Sequence, residues 1–180
     1  MQLEEVLKGI DYHIWTSEPE VGHFIAALIK MHKAKDIIEV GTFKGYTSAC
    51  IINSLSKDST FKSIDIEDHR PEIVKEYFDE TDSKFILGDS LKELDNIPSR
   101  SADLIFLDTY HGYDQVKGEF KKSERIIRQG GLILIHDYYT SEGVPAWTDE
   151  IRGTPWLEIV VLNTTENRGL VVVRCLYAGN

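Results

Sequence analysis

The chain has 180 residues, 42% hydrophobic and 28% charged, enough for one sizeable core and too few for two ordinary domains, so one domain over residues 1–180 is expected. No run approaches the roughly 18 apolar residues of a membrane-spanning helix, and MQLEEVLKGIDYH has acids where a signal peptide carries a basic stretch and an apolar block, which points to the cytoplasm and away from membranes. Thirty acidic against twenty basic residues leave a formal net charge of −10, which disfavours nucleic acid as a partner.

The one basic cluster, Lys121, Lys122, Arg125 and Arg128, follows helical spacing beside Glu119 and Glu124 and reads as a solvated helix face. Cys50 and Cys175 form neither a disulfide framework nor a zinc spacing, so two buried reduced thiols are expected. In chain order, Val21, Phe24, Ile25, Leu28 and Ile29 place one buried helix face between Pro19 and His32, with Ser17 as its cap and Pro19 in its first turn. IIEV at 37–40 is a first strand ended by Gly41, and a helix follows from Gly45 to Ser56. FKSIDI at 61–66 is the second strand, the segment after Pro71 a helix, FILGD at 85–89 the third strand and SLKELDNI a short helix. ADLIFLD at 102–108 is a fourth strand, Gln115 to Gln129 a helix stopped by Gly130 and Gly131, and LILIHD at 132–137 a fifth strand. Tyr138 to Pro155, with two glycines and two prolines, is expected to be an irregular wall or lid after strand five. WLEIVVLN at 156–163 and GLVVVRCL at 169–176, with turn residues between them and no helix, form an antiparallel hairpin.

Apolar strands alternating with helices belong to a parallel sheet covered on both faces, because right-handed crossovers put the helices there. The expected architecture is α/β, doubly wound, with a mostly parallel seven-stranded sheet and a C-terminal antiparallel hairpin. Ligands in such sheets bind beyond the carboxyl ends of the strands. Those ends carry chemistry. Gly41 and Gly45 let a ligand approach the backbone closely after strand one, although tight helix-to-strand packing selects glycine equally well. Asp65 ends strand two, where a carboxylate can accept from both hydroxyls of a ribose. Asp89 and Ser90 end strand three, where they could equally cap the next helix, and Asp108 ends strand four. Any one acid there is commonplace; the set at one sheet edge points to a site.

The runs Thr16-Ser17-Glu18, Gly22-His23-Phe24, Ile38-Glu39-Val40-Gly41-Thr42, Gly45-Tyr46-Thr47, Ile64-Asp65, Gly88-Asp89-Ser90, Asp103 to Asp108, Gly130-Gly131 and His136-Asp137 resemble the cation-dependent O-methyltransferases that include catechol and caffeoyl-CoA O-methyltransferases, within the class I methyltransferases. The resemblance covers nearly the whole chain and implies S-adenosylmethionine lying across the strand ends. Gly41, Phe43 and Gly45 would pack under it, Ser17 and Thr47 would meet its methionine portion, Asp65 would hold the ribose, and Asp89 with Ser90 the adenine. Glu39, Thr42, Ile66, Gly88 and Asp108 complete the implied cofactor set. The family also implies a divalent cation of the magnesium type, bound here by Asp108 and Asp137; Tyr138 stands where the family has its asparagine ligand.

Asp108-Thr-Tyr-His111-Gly-Tyr113 also resembles the D-x-x-H-x-Y run of the macrocin and mycinamicin type sugar O-methyltransferases, which makes His111 the candidate general base beside Asp108. His136, inside a strand, reads instead as a histidine satisfied by a neighbouring element. Tyr110, His111, Tyr138 and Tyr139 are the candidate acceptor contacts, with aromatic walls suited to a planar or sugar acceptor. The family's N-terminal helices are represented by only about fifteen residues before Thr16, so the expected site is open or completed by a second subunit of a homo-oligomer. The expected function is methyl transfer to a hydroxyl oxygen of a small molecule, a sugar or phenolic metabolite. Three alternatives remain: a macromolecular acceptor, a non-catalytic scaffold that keeps the cofactor pocket, and a nicotinamide-dependent dehydrogenase, which the glycine turn and the hairpin disfavour.

Overall fold

The computed structural model describes residues 1–177. Seven strands form one sheet in the order β3-β2-β1-β4-β5-β7-β6. They are β1 (Asp36–Val40), β2 (Thr60–Asp65), β3 (Ser83–Leu87), β4 (Ala102–Leu107), β5 (Ile127–His136), β6 (Leu157–Leu162) and β7 (Leu170–Cys175). The strands from β3 to β5 are parallel, and β7 runs antiparallel to both β5 and β6, so the doubly wound sheet with its terminal hairpin is as expected.

Alternation with period two sends the strand residues to two separate apolar layers. Ile38, Val40, Ile105, Leu107, Ile133 and Ile135 face one side, where Leu94 of α5 (Ser90–Asp95), Val116 and Phe120 of α6 (Tyr113–Ile126) and Trp147 of α7 (Gly143–Ile151) cover them. Ile37, Leu104, Phe106 and Leu134 face the other, under Val6 of α1 (Leu3–Lys8), Ile25 of α2 (Pro19–His32), Ala49 of α3 (Tyr46–Ser54) and Phe78 of α4 (Glu72–Asp79). Because both faces are covered, the strands read as continuous apolar runs. Among the described residues no helix is long and apolar enough to cross a membrane.

The chain leaves β1 toward β2 and β3, and leaves β4 toward β5. The topological switch point therefore lies between β1 and β4, where an open sheet forms its ligand crevice.

Four local expectations need correction. The helix expected to run to Gln129 ends at Ile126, because fully buried Ile127 pairs with Ala102 and opens β5. Gly130, at φ +80°, and Gly131 absorb the register shift between Ala102 and Leu104 as a bulge. Ser17 does not cap α2: Glu18 holds that position, and the Ser17 hydroxyl turns to Asp108. Helix α1 was not anticipated, although Leu3, Val6, Leu7 and Ile10 have its spacing.

The expected irregular stretch after β5 contains α7. Val144, Trp147, Thr148 and Ile151 are buried at helical spacing, Pro145 is tolerated in the first turn, and Gly143 sits where a Cβ would lie 2.2 Å from the His111 carbonyl oxygen. Trp147 packs edge-on to Tyr113 and Phe120 and docks α7 on α6. Trp147→Ala is expected to destabilise the protein by about 3–5 kcal/mol in urea unfolding. A loss below about 1 kcal/mol would mean that α7 is not held by this contact.

Candidate functional site at the switch point

The floor of the crevice is the turn after β1. Gly41 has φ +97°, and a Cβ on it would fall 1.9 Å from the Asp108 carbonyl oxygen, so this glycine is required by the approach of the β4 end. Gly45, at φ +80°, opens α3 with Val74 packed where its Cβ would be. Between them Phe43 adopts φ +45°, a left-handed conformation that a non-glycine residue enters only under constraint. Asp65 supplies that constraint. Its Oδ2 accepts from the backbone N–H of Thr42 at 2.8 Å and of Phe43 at 2.7 Å, and its Oδ1 accepts from the N–H of Glu67 at 3.2 Å. Glu39 lies behind the turn, fully buried, accepting from the hydroxyls of Ser48 and Ser63. Burial pushes its carboxyl up to about 8 despite those bonds, and Glu39 supports the turn without lining the crevice.

A cavity of about 380 Å³ opens on this floor and gathers Gly41, Phe43, Asp65, Ile66, Gly88, Asp89, Ser90, Asp108 and Tyr110 from the expected set. Asp89 also caps α5, accepting from the N–H of Leu91 at 3.0 Å. Helix α6 adds a wall residue and a buried support that no local sequence signal marks. Glu119 is buried and collects the hydroxyls of Ser90 (2.6 Å) and Thr109 (2.9 Å) and the amide of Gln115 (2.7 Å), and Gln115 itself lines the cavity. Both sit on α6 with no motif to mark them. Ser17, Thr42, Gly45 and Thr47 border a narrow groove on the other side of Phe43.

Beside the crevice, the ends of β4 and β5 meet the β6–β7 turn in a buried polar cluster. His136 Nε2 lies 2.7 Å from Glu18, with both side chains at 0% exposure, which bears out its reading as a histidine satisfied by a neighbouring element. Its Nδ1 faces Asp108 at 3.2 Å and Asp137 at 3.3 Å. Burial opposes the charged form of His136, but the three surrounding carboxylates raise it to about 10. Burial likewise opposes the charged carboxylates, yet His136 and Thr164 hold Glu18 down at about 2, and His136, His111 and Ser17 hold Asp108 at about 2.

His111 stands between the two acids, Nδ1 at 3.3 Å from Asp137 and Nε2 at 3.6 Å from Asp108, and its buried Nε2 has no hydrogen-bond partner. Burial lowers its pKa and favours the neutral ring. A second cavity, about 530 Å³, joins this cluster to the crevice and is rimmed by Trp15 and Tyr110, which are 69% and 81% exposed. Tyr138 and Tyr139, expected as acceptor contacts, stand outside both cavities. Tyr138 packs against the core, and Tyr139 lies over Gly169.

Asp108, His111 and Asp137 each offer a ligand atom within 4.8 Å of one another. Their surroundings do not suit a hard dication: Asp137 is already held by Arg168, Asp108 accepts from Ser17, and Tyr138 packs against the core and offers no asparagine oxygen.

Residues 38–138 match the family model described as a methyltransferase domain. The chain belongs to that family. Curated relatives from Mycobacterium sp. (strain KMS) and Mycobacterium marinum, each named "Putative O-methyltransferase", are 27% and 28% identical to it over 134 residues, or 72% of this chain. The chain spans about 60% of the length of those relatives. In fold it is similar to the O-methyltransferase TomG of Streptomyces achromogenes, crystallised in complex with SAM (TM-score 0.81, 16% identity, 97% of this chain and 89% of that one). It is also similar to an O-methyltransferase of Bacillus cereus in complex with SAH (TM-score 0.77, 20% identity, 96% and 90%).

The Glu18 and His136 pair sets a pH signature. Glu18, depressed to about 2, contributes stability that is complete above its ordinary 4.5 and is lost as pH falls; His136, raised to about 10, contributes stability that is complete below 6.5 and is lost as pH rises. Glu18→Gln is expected to cost about 3–5 kcal/mol near pH 6 and to flatten the acid limb of a urea-midpoint profile. An unchanged acid limb would show that Glu18 is not ionised in the folded protein.

Proposed function

We propose that this member of the methyltransferase-domain family transfers a methyl group from S-adenosylmethionine to a hydroxyl oxygen of a small molecule. The observation that carries this reading is that the crevice over Asp65 and the glycine turn shares Phe43, Asp65, Ile66, Asp108 and Tyr110 with a neighbouring cavity, which is lined in turn by His111 with its unpartnered Nε2. The names of the curated relatives and the SAM and SAH held by solved neighbours support it.

The crevice fits an adenosyl ligand. Its floor carries a carboxylate, its wall alternates apolar Ile66 with polar Ser90 and Gln115, and the groove beside Phe43 continues toward Ser17 and Thr47. Asp65 would accept from the ribose hydroxyls while its Oδ2 keeps the turn in place, Asp89, Ser90 and Gln115 would meet the adenine, and Ser17 and Thr47 the amino-acid end. When bound, S-adenosylmethionine supplies an electrophilic methyl group whose leaving group is a neutral thioether.

The protein's own part is alignment and proton removal. His111 Nε2 accepts the proton of the acceptor hydroxyl as the oxygen attacks. The neutral ring that burial favours is the form able to do so, and the imidazolium that results lies between Asp108 and Asp137, which stabilise it. Trp15 and Tyr110 flank the entrance as aromatic faces for a planar phenolic or sugar acceptor.

Calorimetric titration with SAH and S-adenosylmethionine, with NAD as control, is expected to give micromolar-range binding of the adenosyl ligands alone. Asp65→Asn should weaken that binding by about 1–3 kcal/mol; unchanged affinity would remove Asp65 from the ribose. No binding of either adenosyl ligand by folded protein would overturn the reading. In a screen of hydroxylated small molecules followed by SAH release, His111→Gln is expected to slow turnover by roughly 10²- to 10⁴-fold with SAH affinity unchanged. Equal turnover would assign the proton to another group.

A further inference from the structure

The resemblance to cation-dependent enzymes implies a dication on Asp108 and Asp137, and the geometry around these acids disagrees with it. We propose that the Arg168 guanidinium takes the place of that dication, so that this site is organised by a resident protein cation and works without a metal.

Arg168 reaches Asp137 from the β6–β7 turn. Its Nε lies 2.9 Å from Asp137 Oδ1 and its Nη2 3.4 Å from Oδ2, so the planar fork faces both oxygens. The third nitrogen donates to the carbonyl oxygens of Thr16 at 3.0 Å and Ile14 at 3.4 Å. This is a fixed side chain, 13% exposed, and not a surface arginine that happens to pass an acid. It joins the end of β5, the hairpin turn and the segment that carries Ser17.

The remaining acceptor positions are also engaged. Asp137 Oδ1 accepts from the Thr140 hydroxyl at 3.0 Å, and Asp108 Oδ2 accepts from Ser17. His136 Nδ1 lies within 3.3 Å of one oxygen of each acid. A hard dication takes six or more oxygen ligands at about 2.0–2.6 Å. To approach Asp137 it would have to displace a guanidinium also tied to two backbone carbonyl oxygens, and the family's third oxygen ligand is replaced by Tyr138, which packs against the core.

The guanidinium does for the site what an ion would do by charge. Its fork fixes the Asp137 carboxylate 3.3 Å from Nδ1 of His111, a residue that lines the cavity. Arg168 is in this sense a positioning residue. The proposal rests on the methyl-transfer reading for its catalytic meaning, but metal titration tests it without acceptor or cofactor.

Manganese, followed by the free-ion electron paramagnetic resonance signal and by calorimetry, is titrated into the intact protein and into Arg168→Ala, Arg168→Lys and Arg168→Ala/Asp137→Asn. The expected result is no saturable binding by the parent protein below about 1 mM, binding at least about tenfold tighter in Arg168→Ala, and loss of that gain in the double variant. Arg168→Lys, which keeps the charge and loses the fork, should stay closed to manganese. Micromolar manganese binding by the parent protein that Asp137→Asn removes would overturn the proposal. So would folded Arg168→Ala that gains no affinity. Should Arg168→Ala fail to fold, the parent titration and Arg168→Lys decide: saturable binding by either overturns the proposal, and its absence in both upholds it. SAH titration on the same samples separates this outcome from the cofactor reading, since loss of SAH binding speaks against that reading and leaves the metal result standing.

Discussion

The ends of β1 and β4 come so close at the switch point that one carbonyl oxygen occupies the space of a missing side chain. Asp108 O would lie 1.9 Å from a Cβ on residue 41, which leaves glycine as the residue that fits. From this contact the rest of the crevice follows. The turn after Gly41 is driven into left-handed geometry, Asp65 crosses from β2 to bind two of its N–H groups, and the Asp108 side chain is left at the junction of the crevice and the polar cluster. Asp65 therefore carries two duties, one toward the backbone and one toward a ligand. Substitution by asparagine separates them better than alanine, since the amide keeps one acceptor oxygen for the turn.

The second organising feature is electrostatic. Three carboxylates, two histidines and an arginine are buried together, an arrangement that is costly unless every charge has a partner. Here His136 lies between Glu18 and Asp108, and Arg168 faces Asp137. Two ring nitrogens are left without a hydrogen bond: His136 Nδ1, enclosed between Asp108 and Asp137, and Nε2 of His111, the histidine that lines the cavity. A charge-paired network with a free ring nitrogen on a cavity-lining residue is how a protein presents a base to a substrate while holding everything around it still.

Much of the crevice was legible in the sequence because its residues sit at strand ends, and strand ends are marked locally. An apolar run stops, and a glycine or an acid follows. Gly41, Asp65, Gly88, Asp89 and Asp108 were found this way, and all line the same cavity. Elsewhere a local signal has two meanings. Gly143 and Pro145 look like loop residues, but a glycine can start a helix pressed against another backbone and a proline can occupy its first turn. Tyr138 and Tyr139 follow a strand end, which points to the pocket, yet Asp137 is left-handed at φ +62° and Tyr138 packs against the core.

The sequence by itself determined the order of strands and helices, the two-sided burial of the sheet and the sheet edge at which the chemistry gathers. These depend on periodicities of two and 3.6 residues and on turn chemistry, all of which act within a few positions of the chain. Only the tertiary structure decided the company each acid keeps. Glu18 meets His136 across 118 residues and Arg168 meets Asp137 across 31, and nothing near any of these residues in the chain announces the encounter. The pairing of buried charges is a property of the folded interior, where a low dielectric makes an unpartnered charge too costly to leave and the available partner is whichever element the topology brings alongside.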